Sequence, residues 1–286
     1  MSKNKFARKL GLVVALSLLV GLGSVPNVSS AKAAEKDASF EMLQDWYEDY
    51  KVNGNEAVAG EDDGDQRVTN HAYYYLGRQI YYVTKRTKTN VKTESVSIGY
   101  RAKRKCYDGS YIYGFVTCGH GIRDSVDSRI YASVSNAKNN KSIIGWRYIS
   151  CYNGKVDASF VHMNSGHSIK NQTKGNDYIS SAMISVKKGD KVCMCGGVSG
   201  TVKHIDVVVA DKDGVPVYEL GKNKYTYFDN LIETKKMGTL GDSGSIVYYD
   251  ESGSKRIVGI YVAGDSLFGF VVPVKAINKE LNVIPY

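Results

Sequence analysis

The chain has 286 residues, of which 43% are hydrophobic, and a formal net charge of +9. This length allows one or two domains, and the apolar fraction excludes a chain that is disordered throughout. The charge is unevenly distributed: residues 1–33 carry five basic and no acidic side chains, residues 34–65 carry eleven acidic and two basic ones, and the remainder carries +13. The basic side chains of this remainder are scattered and form no finger or arginine-rich motif, so we interpret them as a solvated surface and predict no nucleic-acid partner.

Residues 1–33 have the three parts of a secretory signal peptide. Basic side chains from Lys3 to Lys9 precede the apolar run 10–20, and Ala31-Lys32-Ala33 is a small-x-small cleavage sequence. A membrane anchor is the alternative interpretation, but the apolar run is short for a bilayer span and is followed by glycines. We therefore predict that the segment is cleaved, that the protein is secreted to the extracellular space, and that no stable membrane span remains.

Residues 34–90 are predicted to form a leader that changes from acidic to basic. Apolar side chains recur at intervals of three and four over 39–51, which predicts an amphipathic helix followed by a solvated acidic linker. Because the acidic part of the leader and the residues after position 65 carry opposite net charges, we predict that the leader docks over the active cleft as an inhibitory propeptide. Its removal is expected in the basic stretch between Arg78 and Lys92. The alternative is an N-terminal extension that only keeps the chain solvated.

Residues 91–286 consist of short β-branched and aromatic runs separated by glycine, asparagine and aspartate. Such spacing, without helical periods between the runs, predicts an all-β sandwich or barrel. The predicted strands cover residues 95–100, 111–117, 158–163, 204–210, 215–220, 225–232, 245–249, 256–262 and 268–274. The last stretch, 274–283, has Val274, Ile277 and Leu281 on one face and is predicted to be a helix.

The five cysteines, at positions 106, 118, 151, 193 and 195, are an odd number for an exported protein. At least one is therefore unpaired or pairs between chains, and the spacing leaves the connectivity open. Cys193-Met194-Cys195 is too tight for the usual zinc spacing, and no second cysteine pair accompanies it. We predict no metal site and no cofactor.

Three short motifs carry residue types that nucleophilic hydrolysis needs. Ser243 lies in a glycine-rich turn, a context that also fits a simple polar β-turn. His120 ends an apolar strand and is set between glycines, and Asp157 opens another apolar strand, where a carboxylate needs a partner such as an imidazole N–H. A serine becomes a nucleophile with such a base and an acid that orients the base. The chain order His, Asp, Ser is that of chymotrypsin-like β-barrels, whereas subtilisins and α/β-hydrolases use other orders.

From about residue 91 to its end the chain resembles the trypsin/chymotrypsin-like serine proteases, in particular the secreted bacterial branch of α-lytic protease and the streptogrisins. The resemblance rests on Phe115-Val116-Thr117-Cys118-Gly119-His120, Asp157-Ala158-Ser159-Phe160-Val161 and Gly241-Asp242-Ser243-Gly244. It implies two packed antiparallel Greek-key β-barrels with a C-terminal helix. His120 and Asp157 would come from the first barrel and Ser243 from the second.

The resemblance also implies a secreted serine endopeptidase made as a zymogen, with protein or peptide substrates. His120 would act as general acid and base, Asp157 would orient it, and the backbone N–H groups of Gly241 and Ser243 would form the oxyanion hole. If Asp157 does not hold its role, Asp124 or Asp127 in the loop after the histidine is the substitute. The alternative function is a catalytically silent binding or adhesion module on the same fold.

The sequence departs from the family pattern at several places. The positions of the usual disulfide beside the histidine read Gly121 and Val96, and Cys118 stands where the family has alanine, which makes it a candidate buried thiol. Val262 replaces a serine beside the triad aspartate. The resemblance implies a substrate pocket at Met237, Val262 and Gly264, with Tyr261 where a glutamate-specific enzyme carries histidine. We expect an uncharged, medium or large apolar side chain in that pocket.

Overall fold

The computed structural model describes residues 72–219, 224–251 and 253–286. The predicted signal peptide, the predicted helix 39–51 and the acidic linker lie outside these residues. In the described ranges, no helix is both long and apolar enough to cross a bilayer.

The described residues form eighteen strands and three short helices. The first ten strands are β1 (Ala72–Leu76), β2 (Gln79–Arg86), β3 (Val91–Ser97), β4 (Arg101–Lys105), β5 (Tyr111–Thr117), β6 (Arg129–Tyr131), β7 (Ile143–Tyr152), β8 (Asp157–Met163), β9 (His167–Thr173) and β10 (Lys191–Gly196). The others are β11 (Gly200–Lys212), β12 (Val215–Glu219), β13 (Lys224–Phe228), β14 (Leu231–Lys235), β15 (Ile246–Glu251), β16 (Ser254–Gly264), β17 (Phe268–Pro273) and β18 (Val283–Pro285). The helices are α1 (Gly119–Arg123), α2 (Val134–Asn139) and α3 (Val274–Leu281).

The first half of this body is an antiparallel sheet with the strand order β18-β4-β5-β8-β7-β6-β2-β3. β3, at one end of this order, leads through a bend at residues 98–100 into β4, which lies next to β18 at the other end. At this bend Ile98 exchanges hydrogen bonds with Gly77 and Arg78, and the next residue, Gly99, donates to the Val116 carbonyl at 2.9 Å. The strand thus changes partners from the β2 side to β5, and the sheet curls into the first barrel.

The second half is a closed six-stranded barrel with the order β10-β11-β14-β17-β16-β15. Apolar residues of both halves form one continuous core, in which Phe115 and Phe160 of the first barrel share a cluster with Ile246 and Ile260 of the second. The predicted all-β fold with two packed barrels is therefore confirmed. Helix α3, predicted at 274–283, packs Val274, Ile277 and Leu281 into this core.

Two details of the predicted layout change. The stretch 225–232, predicted as one strand, is two: β13 and β14 flank a turn in which Asn230 has a φ of 60°. The predicted domain boundary after residue 90 falls in the turn between β2 and β3, which pair from Gln79 to Arg86. A leader extending to residue 90 would include β2, a strand of the first barrel. Since β1 also pairs with β9 from Ala72 onward, we confine the proposed leader to residues before Ala72.

Candidate active site

His120 and Asp157 meet because their strands are neighbours. β5 pairs with β8, with Thr117 opposite Ser159, so the chain that follows β5 lies beside the start of β8. The Asp157 carboxylate accepts hydrogen bonds from the N–H groups of Gly119 and His120, both at 2.7 Å, and its second oxygen lies 2.6 Å from Nδ1 of His120. These three bonds satisfy a carboxylate that is only 1% exposed. With Nδ1 engaged, Nε2 is the ring nitrogen left for proton transfer.

The Asp157 carboxylate also favours the protonated form of the His120 imidazole. Burial lowers the His120 pKa, but the Asp157 carboxylate, assisted by the nearby Cys118 sulfur, outweighs burial and holds the pKa well above 6.5. The protonated form of the imidazole is thereby stabilised. The His120 side chain is 30% exposed, so a substrate can reach the ring.

The turn that carries Ser243 is held in place by its buried neighbour Asp242. Gly241 and Gly244 have φ values of 95° and 88°, which side chains with a β-carbon rarely adopt. The Asp242 carboxylate accepts hydrogen bonds from the N–H of Val198 at 2.8 Å, from both the N–H and the hydroxyl of Ser199, and from the N–H of Thr239 at 2.9 Å. The sequence motif does not reveal these partners, which fix the turn from both sides.

The N–H groups of this turn fall into two sets. Those of Asp242, Gly244 and Ser245 donate to the carbonyls of Thr239, Tyr261 and Asp242, at 3.0, 2.7 and 2.9 Å. Those of Gly241 and Ser243 donate to no acceptor in the ranges that the structure describes. The second pair is the one that the family resemblance assigns to the oxyanion hole.

Ser97, which the motifs did not single out as a site residue, joins the two barrels at the site. Its N–H donates to the Ser243 carbonyl at 2.8 Å, and its hydroxyl donates to the Gly241 carbonyl at 3.0 Å. The same hydroxyl accepts from the N–H of Gly197, and the Ser97 carbonyl accepts from the Thr117 hydroxyl at 2.7 Å. Ser97 is fully buried, and through these bonds it links the turn that carries Ser243 to β5, the strand that leads to His120.

The departures from the family pattern have local explanations. A β-carbon on Gly121 would lie 2.4 Å from Cγ1 of Val96, so the two positions of the missing disulfide are in contact and packing replaces the bridge. Val262 offers no side-chain hydroxyl, yet Asp157 is satisfied without one. The Val262 carbonyl instead accepts from the Ser243 hydroxyl at 3.5 Å.

The remaining candidates are placed as follows. Asp124 forms an ion pair with Arg123 at 3.3 Å, and the Asp127 carboxylate accepts from the Arg129 N–H, whereas the His120 imidazole pairs with Asp157. No disulfide joins any of the five cysteines among the described residues, and Cys118 is buried as expected. In the described residues, no group of three or more His, Cys, Asp or Glu side chains is arranged to hold a metal ion.

The pocket residues implied by the resemblance differ in accessibility. Met237 is 3% exposed and Val262 is 4% exposed, whereas Gly264 lies at the surface. Met237 belongs to the same buried apolar cluster as Tyr261.

These features define the chymotrypsin-like fold, with two β-barrels and a histidine, an aspartate and a serine brought to one region. Among solved structures, the chain is similar to a Nocardiopsis protease (20% identity, 75% of this chain and 99% of that one, TM-score 0.54). It is also similar to protease A of Thermobifida fusca (18% identity, 75% and 98%, TM-score 0.54) and to a Cellulomonas bogoriensis chymotrypsin (19% identity, 75% and 98%, TM-score 0.51). No protein-family model matches the sequence, and no curated protein matches it. The expected likeness to bacterial chymotrypsin-like serine proteases is confirmed at the level of the fold.

Proposed function

We propose that this protein is a secreted serine endopeptidase that hydrolyses peptide bonds through an acyl-enzyme. The observation that carries the proposal is the pairing of His120 with the buried Asp157, whose carboxylate accepts three hydrogen bonds. Ser97 connects the Ser243 turn to the strand before His120. A histidine that pairs with a buried carboxylate, together with a turn that has two unused N–H groups, supplies the parts that acyl transfer requires.

In the proposed reaction, Oγ of Ser243 attacks the carbonyl carbon of the scissile peptide bond while its proton moves to Nε2 of His120. The carbonyl oxygen becomes an oxyanion that accepts from the N–H groups of Gly241 and Ser243. When the tetrahedral intermediate collapses, the C–N bond breaks, the amine takes the proton from His120, and the acyl group remains as an ester on Ser243. Water then attacks this ester with His120 again as base, which releases the acid and restores the serine.

We also propose that residues 34–71 are an inhibitory propeptide and that the enzyme is made as a zymogen. The support is the charge contrast between residues 34–65, which carry eleven acidic and two basic side chains, and the +13 of the residues that follow. Because β1 pairs with β9 from Ala72 onward and β2 belongs to the first barrel, we place the processing site before Ala72 and not within the basic stretch after Arg78.

The decisive test is covalent labelling of the secreted protein by a fluorophosphonate probe, which reacts with activated serines. Ser243→Ala should abolish both labelling and peptide hydrolysis. Ser245→Ala is a matched control, because the buried Ser245 hydroxyl has no hydrogen-bond partner among the described residues and its removal should change labelling little. If the folded wild-type protein is neither labelled nor able to cleave any peptide, the silent binding module becomes the better description.

A further inference from the structure

The backbone of Tyr261 is fixed relative to the proposed nucleophile. The Gly244 N–H donates to the Tyr261 carbonyl at 2.7 Å, and the Tyr261 N–H donates to the Ser245 carbonyl at 2.9 Å. These two bonds join Tyr261 to the residues that directly follow Ser243. The Tyr261 backbone therefore cannot move away without breaking the turn that carries the serine.

The ring fills a slot between three glycines. A β-carbon on Gly238 would lie 2.8 Å from Cε1 and Cζ of the Tyr261 ring, and one on Gly264 would lie 2.5 Å from its hydroxyl oxygen. A β-carbon on Gly269 would lie 3.3 Å from Cε2 of the same ring and 3.1 Å from Cγ of Met237. Glycines on three sides of a planar ring leave a slot with the width of an aromatic side chain, and Tyr261 itself occupies it.

The same slot contains Met237 and Gly264, two of the pocket residues expected from the family resemblance. If it were open to a substrate, solvent would reach Met237 at its inner end, yet Met237 is 3% exposed and Tyr261 is 4% exposed. Gly264, at the outer end beside the Tyr261 hydroxyl, is the exposed member of the set. The tyrosine hydroxyl therefore closes the slot close to the surface.

We infer that Tyr261 is the specificity-determining residue of the site: it forms the floor of the pocket for the residue on the acyl side of the scissile bond and restricts that residue to glycine, alanine or serine. This inference rests on the proposed endopeptidase function. It replaces the medium or large apolar preference expected from the sequence, because a large side chain and the Tyr261 ring would need the same volume.

The pocket floor is uncharged. Burial, with smaller contributions from the carboxylates of Asp242 and Asp265, raises the Tyr261 pKa to about 12, so the hydroxyl remains neutral and protonated under working conditions. The Asp242 carboxylate is already occupied by its four donors from Val198, Ser199 and Thr239. A neutral, shallow pocket of this kind favours small uncharged side chains over lysine, arginine or glutamate.

The test is a series of peptide anilides that differ only in the acyl-side residue, which is glycine, alanine, leucine or phenylalanine. We expect kcat/KM of the wild-type protein to fall by about 100-fold or more from alanine to phenylalanine, the range in which a steric pocket discriminates. Tyr261→Val, which keeps a β-branched strand residue, should raise kcat/KM for phenylalanine at least about tenfold and leave alanine little changed. Tyr261→Phe is the matched control, since it keeps the ring and should retain the wild-type profile.

The outcomes separate the inference from the function on which it rests. If the wild-type protein cleaves the phenylalanine substrate as well as the alanine one, or if folded Tyr261→Val keeps the wild-type ratio, Tyr261 is not the floor, although the endopeptidase function stands. If the wild-type protein cleaves none of the series and does not react with fluorophosphonate, the proposed function itself fails. Should Tyr261→Val not fold, Tyr261→Leu shortens the ring within the same apolar cluster, and an unchanged ratio in that variant would also refute the inference.

Discussion

Asp157→Asn alters a single oxygen of the site. The side-chain oxygen of asparagine can still accept from the N–H groups of Gly119 and His120, which lie 2.7 Å from Oδ1 of the aspartate. The amide nitrogen, however, replaces Oδ2, which lies 2.6 Å from Nδ1 of His120. Because an amide nitrogen only donates, Nδ1 must become an acceptor, and the imidazole proton moves to Nε2. That nitrogen then cannot take the proton of Ser243.

The expected loss is large in rate and small in stability. A wrong imidazole tautomer in this type of site lowers kcat by about 10⁴, which corresponds to about 5 kcal/mol of transition-state stabilisation. Folding should survive, because the two backbone hydrogen bonds to Oδ1 are retained. Asp157→Ala, in contrast, would leave two buried N–H groups without an acceptor, each at a cost of about 1–3 kcal/mol.

The pH dependence provides a second readout. Burial lowers the His120 pKa, but Asp157 and Cys118 together raise it by more than burial lowers it. The pKa therefore lies well above 6.5. Activity should therefore rise with pH through an ionisation above 6.5, later than the pH 6–7 expected for a histidine without this partner. In Asp157→Asn the midpoint should move down. The raised pKa also stabilises the fold, fully so below the unfolded-state pKa, and this contribution is lost as pH rises through the folded-state pKa.

The assay is the pH profile of kcat for a peptide anilide, with active sites counted by fluorophosphonate labelling of the wild type. Asp124→Asn is the matched control, because Asp124 lies in the loop after His120 and forms its ion pair with Arg123. Its rate should stay close to wild type. The reasoning is refuted if Asp157→Asn keeps its rate within tenfold of wild type, or if Asp124→Asn is the variant that loses activity.

Two further predictions concern the join between the barrels and the leader. Ser97→Ala removes the hydroxyl between the Gly241 carbonyl and the Gly197 N–H. The free energy of unfolding in urea should fall by about 1–3 kcal/mol, and fluorophosphonate labelling should become slower. Unchanged labelling would contradict the role of Ser97 in placing the turn. A separately made leader should inhibit the mature enzyme more weakly as salt rises, and Ser243→Ala should be secreted in the longer form if processing is autocatalytic. A leader that neither inhibits nor is removed would disprove the propeptide proposal.

The sequence by itself determined the fold class and the three proposed catalytic residues. Strand alternation and the C-terminal apolar face are local patterns, so the all-β body and helix α3 could be predicted from them. His120, Asp157 and Ser243 lie in short motifs. The glycines and apolar strands next to them indicate that each side chain is held in a fixed position. Their chain order pointed to one fold among those that use these residue types.

The tertiary structure alone decided what surrounds those residues. The basic, tyrosine-rich composition of β2 indicates a leader segment. Its hydrogen bonds to β3 and β6, however, make it part of the first barrel. Ser97 and Tyr261 lie far along the chain from many of the groups they contact, and no local pattern marks a residue whose importance comes from remote partners. The volume that Tyr261 takes from the proposed pocket depends on three glycine backbones meeting in space, because packing is a property of the folded chain and not of any one stretch of it.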